Sequence, residues 1–167
     1  MHNKIQQALN DQINLEIYSA YFYLGAAAYF DTQGLNGFAH WMKAQYQEEF
    51  QHMNKLYEYV YSRCGEVILQ EVKKPPQDFP SPRAVFEATL RHEKQVTKKI
   101  EKLYELAFAQ KDYATQSFLK WFIDEQVEEE QNVLDILEQF KLAGIEGNLS
   151  GPGLFILNKE LGGRGKH

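Results

Sequence analysis

Apolar residues recur along this chain at steps of three or four, the period of a helix with one buried face. Over residues 3–32 the stripe runs Ile5, Leu9, Ile13, Ala20, Tyr23, Ala27 and Phe30, with one gap at position 16 or 17. Asp31-Thr32-Gln33-Gly34-Leu35-Asn36-Gly37 then reads as a stop and a turn. Residues 38–64 resume the period through Phe38, Met42, Leu56 and Val60. Residues 82–109 carry it through Phe86, Leu90, Val96, Ile100, Leu103 and Ala107, and residues 113–143 through Phe118, Phe122, Val133, Ile136 and Phe140.

The punctuation agrees with the stripes. Pro75, Pro76, Pro80 and Pro82 cluster and Pro152 stands alone, so the long periodic segments are free to be helical. Ser81-Pro82 reads as an N-cap followed by proline at the first helical position. The third residue on is Ala84, so it is not a full capping box. Asp112 caps the next helix, and Gly144 and Gly147 end it. Ser150-Gly151-Pro152 restarts a short helix over 152–161, and the tail from Gly162 to His167 is expected to fray.

The pattern predicts an all-α chain, one domain over 1–167, with four long helices and a short fifth. The long helices span about 40–47 Å at 1.5 Å per residue. Their connections run short, long, short. The long one, residues 65–82, is longer than most helix–helix loops. Within it Val67, Leu69 and Val72 alternate and suit a short extended crossing. A connection of that length can traverse the bundle, so the second and third helices can run parallel.

Composition narrows the class. The chain has 167 residues, of which 44% are hydrophobic and 25% charged, enough for one folded core. Acids outnumber Lys plus Arg by 23 to 18, for a net charge of −5, which is no footprint for nucleic acid. Cys64 is the one cysteine, so an internal disulfide and a four-cysteine metal site are both excluded. No apolar run follows the N-terminal Met1-His2-Asn3-Lys4, and the richest one, Tyr18 to Phe30, is short and broken by Ser19 and Gly25. No signal peptide and no membrane partner are expected, and the cytoplasm is the expected compartment.

The acids change the picture through their positions. The stripes read Leu9, Ile13, Glu16, Ala20, Tyr23; then Met42, Gln45, Glu49, His52, Leu56; then Phe86, Leu90, Glu93, Val96, Ile100; then Phe118, Phe122, Gln126, Glu129, Val133. Each long helix places one glutamate inside its apolar face, about midway along. Burying an unpaired carboxylate costs several kcal/mol or forces it to take a proton. No Lys or Arg in these stripes matches the four. The simplest countercharge is a pair of metal ions. His52 lies one turn from Glu49 on the same face and adds an imidazole. Oxygen ligands with one nitrogen suit iron or manganese better than copper or a thiolate-bound metal.

Around this set the spacing leaves alternatives. Glu125 and Glu128 lie beside Glu129, and Glu48 beside Glu49. They read either as a second acidic shell leading ions to or from the pair, or as a solvated face. Asp124 and Glu130 read as surface charge. Tyr23 is either a hydrogen-bond or electron donor near the metals or a core tyrosine. Trp121 in isolation reads as core packing.

The chain resembles a prokaryotic non-haem ferritin along nearly its whole length, Ile5 to Leu161. The most specific matches are Ala8-Leu9-Asn10-Asp11-Gln12-Ile13-Asn14-Leu15-Glu16, Gly37-Phe38-Ala39-His40-Trp41-Met42, Glu48-Glu49-Phe50-Gln51-His52 and the run from Phe118 to Glu130. The resemblance implies the ferritin-like bundle, with its long crossover and fifth helix. It implies that Glu16, Glu49 and His52 hold a first iron. Glu49, Glu93 and Glu129 would hold a second, with Glu49 bridging and Gln126 approaching the second iron or its oxygen species. It assigns Glu48, Glu125, Glu128 and Glu129 to a third iron site, and makes Tyr23 and Trp121 neighbours of the diiron centre. It implies Fe(II) oxidation by O2 or H2O2 and ferric storage in a hollow homo-oligomer of 24 subunits.

Departures sharpen the match. Bacterioferritins carry a methionine haem ligand where this chain has Phe50, and Glu-x-x-His where it has Gln126-Val127-Glu128-Glu129, so no haem is expected. Rubrerythrins need four further cysteines. Mini-ferritins place their ligands mainly on the first two helices. Two rivals remain at this stage: another diiron-carboxylate oxidoreductase, such as a peroxide reductase or oxygenase, and a non-catalytic helical module.

Overall fold

The long connection decides the topology. In the computed structural model, which describes residues 1–145 and 151–164, the helices are α1 (Asn3–Thr32), α2 (Asn36–Ser62), α3 (Pro82–Ala109), α4 (Tyr113–Leu142) and α5 (Pro152–Leu161). Residues 63–81 leave the lower end of α2 and climb along α1. Asn10 donates to the Glu66 carbonyl at 2.9 Å and accepts from the Ile68 amide at 2.7 Å. Higher up, Pro75 and Pro76 press on Gly25, and Phe79 meets Tyr29 edge-on. The chain therefore enters α3 at the end where α2 began, and the two run parallel. Phe30, Phe38, Phe86 and Phe140, one from each long helix, pack at that end.

The crossing is extended without forming a strand, and its alternation is only partial. Val67 and Val72 are half-buried, but Leu69 is exposed. Two stripe positions also differ from expectation. Leu90 and Phe118 are half-buried, whereas Thr89 and Leu119 are fully buried. The α4 face is rotated by one residue at its start because Phe118 stacks flat on Tyr59, 3.8 Å between ring centres, beside the α2 terminus.

Local chemistry sets most helix ends. Ser81 Oγ accepts from the Ala84 amide and Asp112 Oδ1 from the Thr115 amide. Gly144, at φ +64°, closes α4 in the left-handed conformation. The start of α2 is different. Leu35 offers no side-chain cap, and Asn158 Oδ1 from α5 instead accepts from the Gly37 and Phe38 amides at 2.9 and 3.2 Å. This contact demands glycine: a Cβ on Gly37 would lie 1.6 Å from the Asn158 carbonyl oxygen.

The tail expected to fray is docked as far as Arg164. His40 Nε2 lies 2.9 Å from the Arg164 carbonyl oxygen, and the guanidinium covers Trp41. Gly147, Ser150 and residues 165–167 lie outside the described residues. The apolar core forms two clusters. One, at the α5 end, includes Phe30, Phe38, Phe86, Val133 and Leu157. The other, at the far end, includes Ile5, Ile13, Leu56, Ile100 and Phe122. A polar layer separates them.

Candidate metal centre

That layer contains Glu16, Glu49, Glu93 and Glu129, one from each long helix and only 0–3% exposed. Helical period alone puts them there, since each continues an apolar stripe across the middle of its helix. His52 and Gln126 are buried in the same layer. Ligand atoms of Glu16, Glu49 and His52 all lie within 4.8 Å of one another, and so do those of His52, Glu125 and Glu129.

Several carboxylate oxygens are held by neutral donors. Gln12 Nε2 donates to Glu16 Oε1 at 2.7 Å, one turn away. Gln45 Nε2 donates to Glu129 Oε2 at 2.7 Å. Tyr23 donates its hydroxyl to Glu93 Oε1 at 2.5 Å, and Gln126 Nε2 lies 3.3 Å from Glu93 Oε2. These bonds fix the carboxylates without neutralising them. Glu16 Oε2 is buried and meets no N–H or O–H donor among the described residues; its neighbour across the layer is the Glu49 carboxylate. A carboxylate oxygen in that state needs a proton or a cation.

The electrostatics state the same demand. Burial raises the Glu16 carboxyl to about 7; the Gln12 bond opposes that and the Glu93 charge adds to it. Burial, then the Glu93 charge, raises Glu129 to about 8. Glu49 is pushed up by burial and by the other three acids. Glu93 is raised by burial against the bonds from Tyr23 and Gln126. His52 goes the other way, to about 4, through burial and the charge of Lys55. Its imidazole is neutral near pH 7, the form that binds metal. A cation between these groups would meet acceptor oxygens and a neutral nitrogen, and the donor set fits a hard or borderline metal.

The other residues singled out from sequence divide. Glu125 is half-buried, with its Oε1 3.8 Å from His52 Nε2. The charges of Glu128 and Glu48 push its carboxyl up, after burial. Glu128 is exposed, and Glu48 is bound to Arg164 at 2.7 Å, so neither joins the two close groups. Trp121 is not core: it is 37% exposed, edge-on to His52, with Lys55 Nζ 3.9 Å above its ring. Glu130 is half-buried rather than simple surface charge, because it accepts from Thr97 Oγ1 at 2.7 Å.

Sequence reasoning missed the supports. Gln12 is signalled only by its i, i+4 spacing to Glu16. Thr97, which anchors both Gln126 and Glu130, is one turn from Glu93. His92 is buried, 2.8 Å from Ser19 Oγ and stacked on Phe22, and no pattern marks it.

Known proteins share this arrangement of chain. The Ferritin-like domain model matches residues 6–143. A bacterial non-heme ferritin of Bacteroides fragilis is 39% identical over 161 residues, covering 96% of this chain and 98% of the relative. Another, from Staphylococcus aureus, is 38% identical and covers 98% of this chain and 96% of that one. The crystal structure of an open pore ferritin from the hyperthermophilic archaeon Archaeoglobus fulgidus superposes with a TM-score of 0.94 at 48% identity, covering 98% of each chain. With the matched helices including those that meet at the buried glutamate layer, the chain belongs to the ferritin family.

Proposed function

We propose that this protein stores iron and is a ferroxidase, oxidising Fe(II) to Fe(III) with O2 or H2O2 and depositing ferric oxyhydroxide inside a hollow shell of identical subunits. The observation that carries the reading is the layer of four buried glutamates, with Glu16 Oε2 given no N–H or O–H donor by the described residues. Iron is the substrate. Glu16, Glu49 and His52 hold one Fe(II); Glu49, Glu93 and Glu129 hold the other, with Glu49 shared. Gln126 faces the second ion, and Tyr23 orients Glu93 through its hydroxyl.

The protein's part is charge and position. The four carboxylates give up any protons as the cations enter, and then favour Fe(III) over Fe(II) because it carries more charge. Each ion yields one electron, so O2 takes two together and leaves, with two protons, as H2O2. The neutral donors Gln12, Gln45 and Tyr23 keep the carboxylates aimed in both states. Glu48, Glu125 and Glu128, together with Glu129, form a third iron site on the route away from the pair. The whole chain acts as one unit of a 24-subunit shell in the cytoplasm. The −5 charge is in part a demand for this cargo.

No observation favours an oxygenase. The two cavities described, about 700 Å³ between α1, the crossover and α3, and about 430 Å³ between α2, α4 and α5, are not lined by Glu93. No described helix is long and apolar enough to cross a membrane. Stopped-flow mixing of aerobic protein with two Fe(II) per chain tests the reading. Fast oxidation is expected, and Glu49→Ala should slow it by about 10–100-fold or more, since the loss of even an outer partner of a metal ligand costs that much. Equal rates would remove the assignment.

A further inference from the structure

Arg164 follows α5 and reaches back to the acids beside the metal layer. Its carbonyl is held by His40, and its guanidinium carbon lies 4.8 Å from the Trp41 ring centre. Nη2 donates to Glu48 Oε2 at 2.7 Å, while Nη1 is buried with no partner among the described residues. The contact is thus a single charge-assisted bond. The two-pronged fork that makes Arg–carboxylate pairs hard to separate is absent. The Arg164 charge also reaches Glu129, where it opposes the upward push of burial and of Glu93 and Glu48.

We propose that Arg164 is a tethered cation that occupies Glu48 until a metal ion at the site of Glu48, Glu125, Glu128 and Glu129 displaces it, so that it sets how readily that third site fills. The proposal rests on reading those acids as a third iron site. The physics is competition. A carboxylate already bound by Arg164 is a poorer ligand, and a fixed positive charge beside an incoming cation repels it. The incomplete fork makes release cheap, and His40 and Asn158 keep α5 docked when the side chain swings away. The acids near the exit are thereby partly neutralised when empty. The two ions at the glutamate layer fill first.

Arg164 acts through Glu48 and is a positioning residue. The test uses assembled protein and Zn(II), which cannot be oxidised. Calorimetric titration of the wild type should give two tight ions per chain and a weaker third. Arg164→Gln should tighten the third about two- to fivefold, the scale of a partly exposed charge pair, and change the first two by less. Arg164→Lys should stay near the wild type. Glu48→Gln should abolish the difference. A spectroscopic arm reads the motion itself. In a Trp121→Phe background Trp41 is the only tryptophan left. Its emission should change as the third ion binds, and the change should vanish with Arg164→Gln. A third ion appearing only in Arg164→Gln also supports the proposal. Equal third-site affinity in wild type and Arg164→Gln overturns it while keeping the third site. No third ion in either form overturns both, while leaving the two tight ions as the separate test of the glutamate layer.

Discussion

At the residue scale, the four buried glutamates make metal-free protein sensitive to pH in a direction opposite to ordinary salt-bridged acids. Glu16 and Glu129 are raised to about 7 and about 8 from the ordinary 4.5 of a glutamate. The native state therefore holds more protons than the unfolded chain between those values, and stability falls as pH rises. Their contribution is complete below about 4.5 and is lost as pH passes through 7 and 8. His52 and His92, lowered to about 4 from 6.5, give the opposite slope: their contribution is present above 6.5 and lost as pH falls through 4. Above pH 6.5 only the carboxylates of these four groups still titrate. Between pH 6.5 and 8 the stability of metal-free protein should drop, by up to about 1.4 kcal/mol per pH unit for each carboxylate, and the Tm should fall with it. Glu16→Gln should flatten the drop, and Zn(II) should remove it while releasing protons measurable in a pH-stat. A Tm that rises across this window in metal-free protein would contradict the burial account. These residues were legible in the sequence because a glutamate inside an apolar stripe breaks a period. Of their donors only Tyr23 stands out in the sequence, as a hydrogen-bond donor near the metals or a core tyrosine, and its hydroxyl does donate to Glu93. Gln12 and Gln45 carry no charge to offend the stripe.

At the scale of elements, period and punctuation located the helices where the cap is local. Ser81 and Asp112 are caps because each meets an amide three residues on. The start of α2 is capped by Asn158, a residue 121 positions away, and no local pattern can contain such a bond. The docked tail has the same cause: Gly162 and Gly163 look like a frayed end, yet Gly162 lies against Gly37 and lets Arg164 reach His40 and Glu48. The α2–α5 junction should accordingly be brittle. Gly37→Ala puts a methyl group into the Asn158 carbonyl and should cost about 2 kcal/mol or more through overpacking. Asn158→Ala removes only the cap and should cost about 1 kcal/mol. Thermal melts give the ranking. Hydrogen exchange gives the place, with α5 and the first turn of α2 losing protection in Gly37→Ala while α3 keeps it. Equal protection in both helices would mean that α5 is held by its leucines alone.

For the whole molecule, the structure divides the apolar residues of α5 between its own bundle and the surface. Leu154, Leu157 and Leu161 are buried against the chain's own bundle, while Phe155 and Ile156 are 71% and 56% exposed. Leu142, at the end of α4, is 79% exposed. Burying a phenylalanine is worth about 1.5–3 kcal/mol, and closed symmetry repeats the gain at every copy. Phe155→Glu should therefore lower the assembly in sedimentation velocity, from a particle of many 19.5-kDa chains to small species, with helix content unchanged. Leu157→Ala is the contrast: it loosens α5 on its own chain and should lower the Tm first. Chemistry and storage should then separate. The four glutamates, His52 and Gln126 come together within one chain, so dispersed Phe155→Glu subunits should still oxidise the first two Fe(II) per chain at nearly the wild-type rate. They should fail at hundreds of iron ions per chain, precipitating ferric product that an enclosed cavity would retain. Slow oxidation in the dispersed subunits would show instead that the centre needs its neighbours to keep its shape.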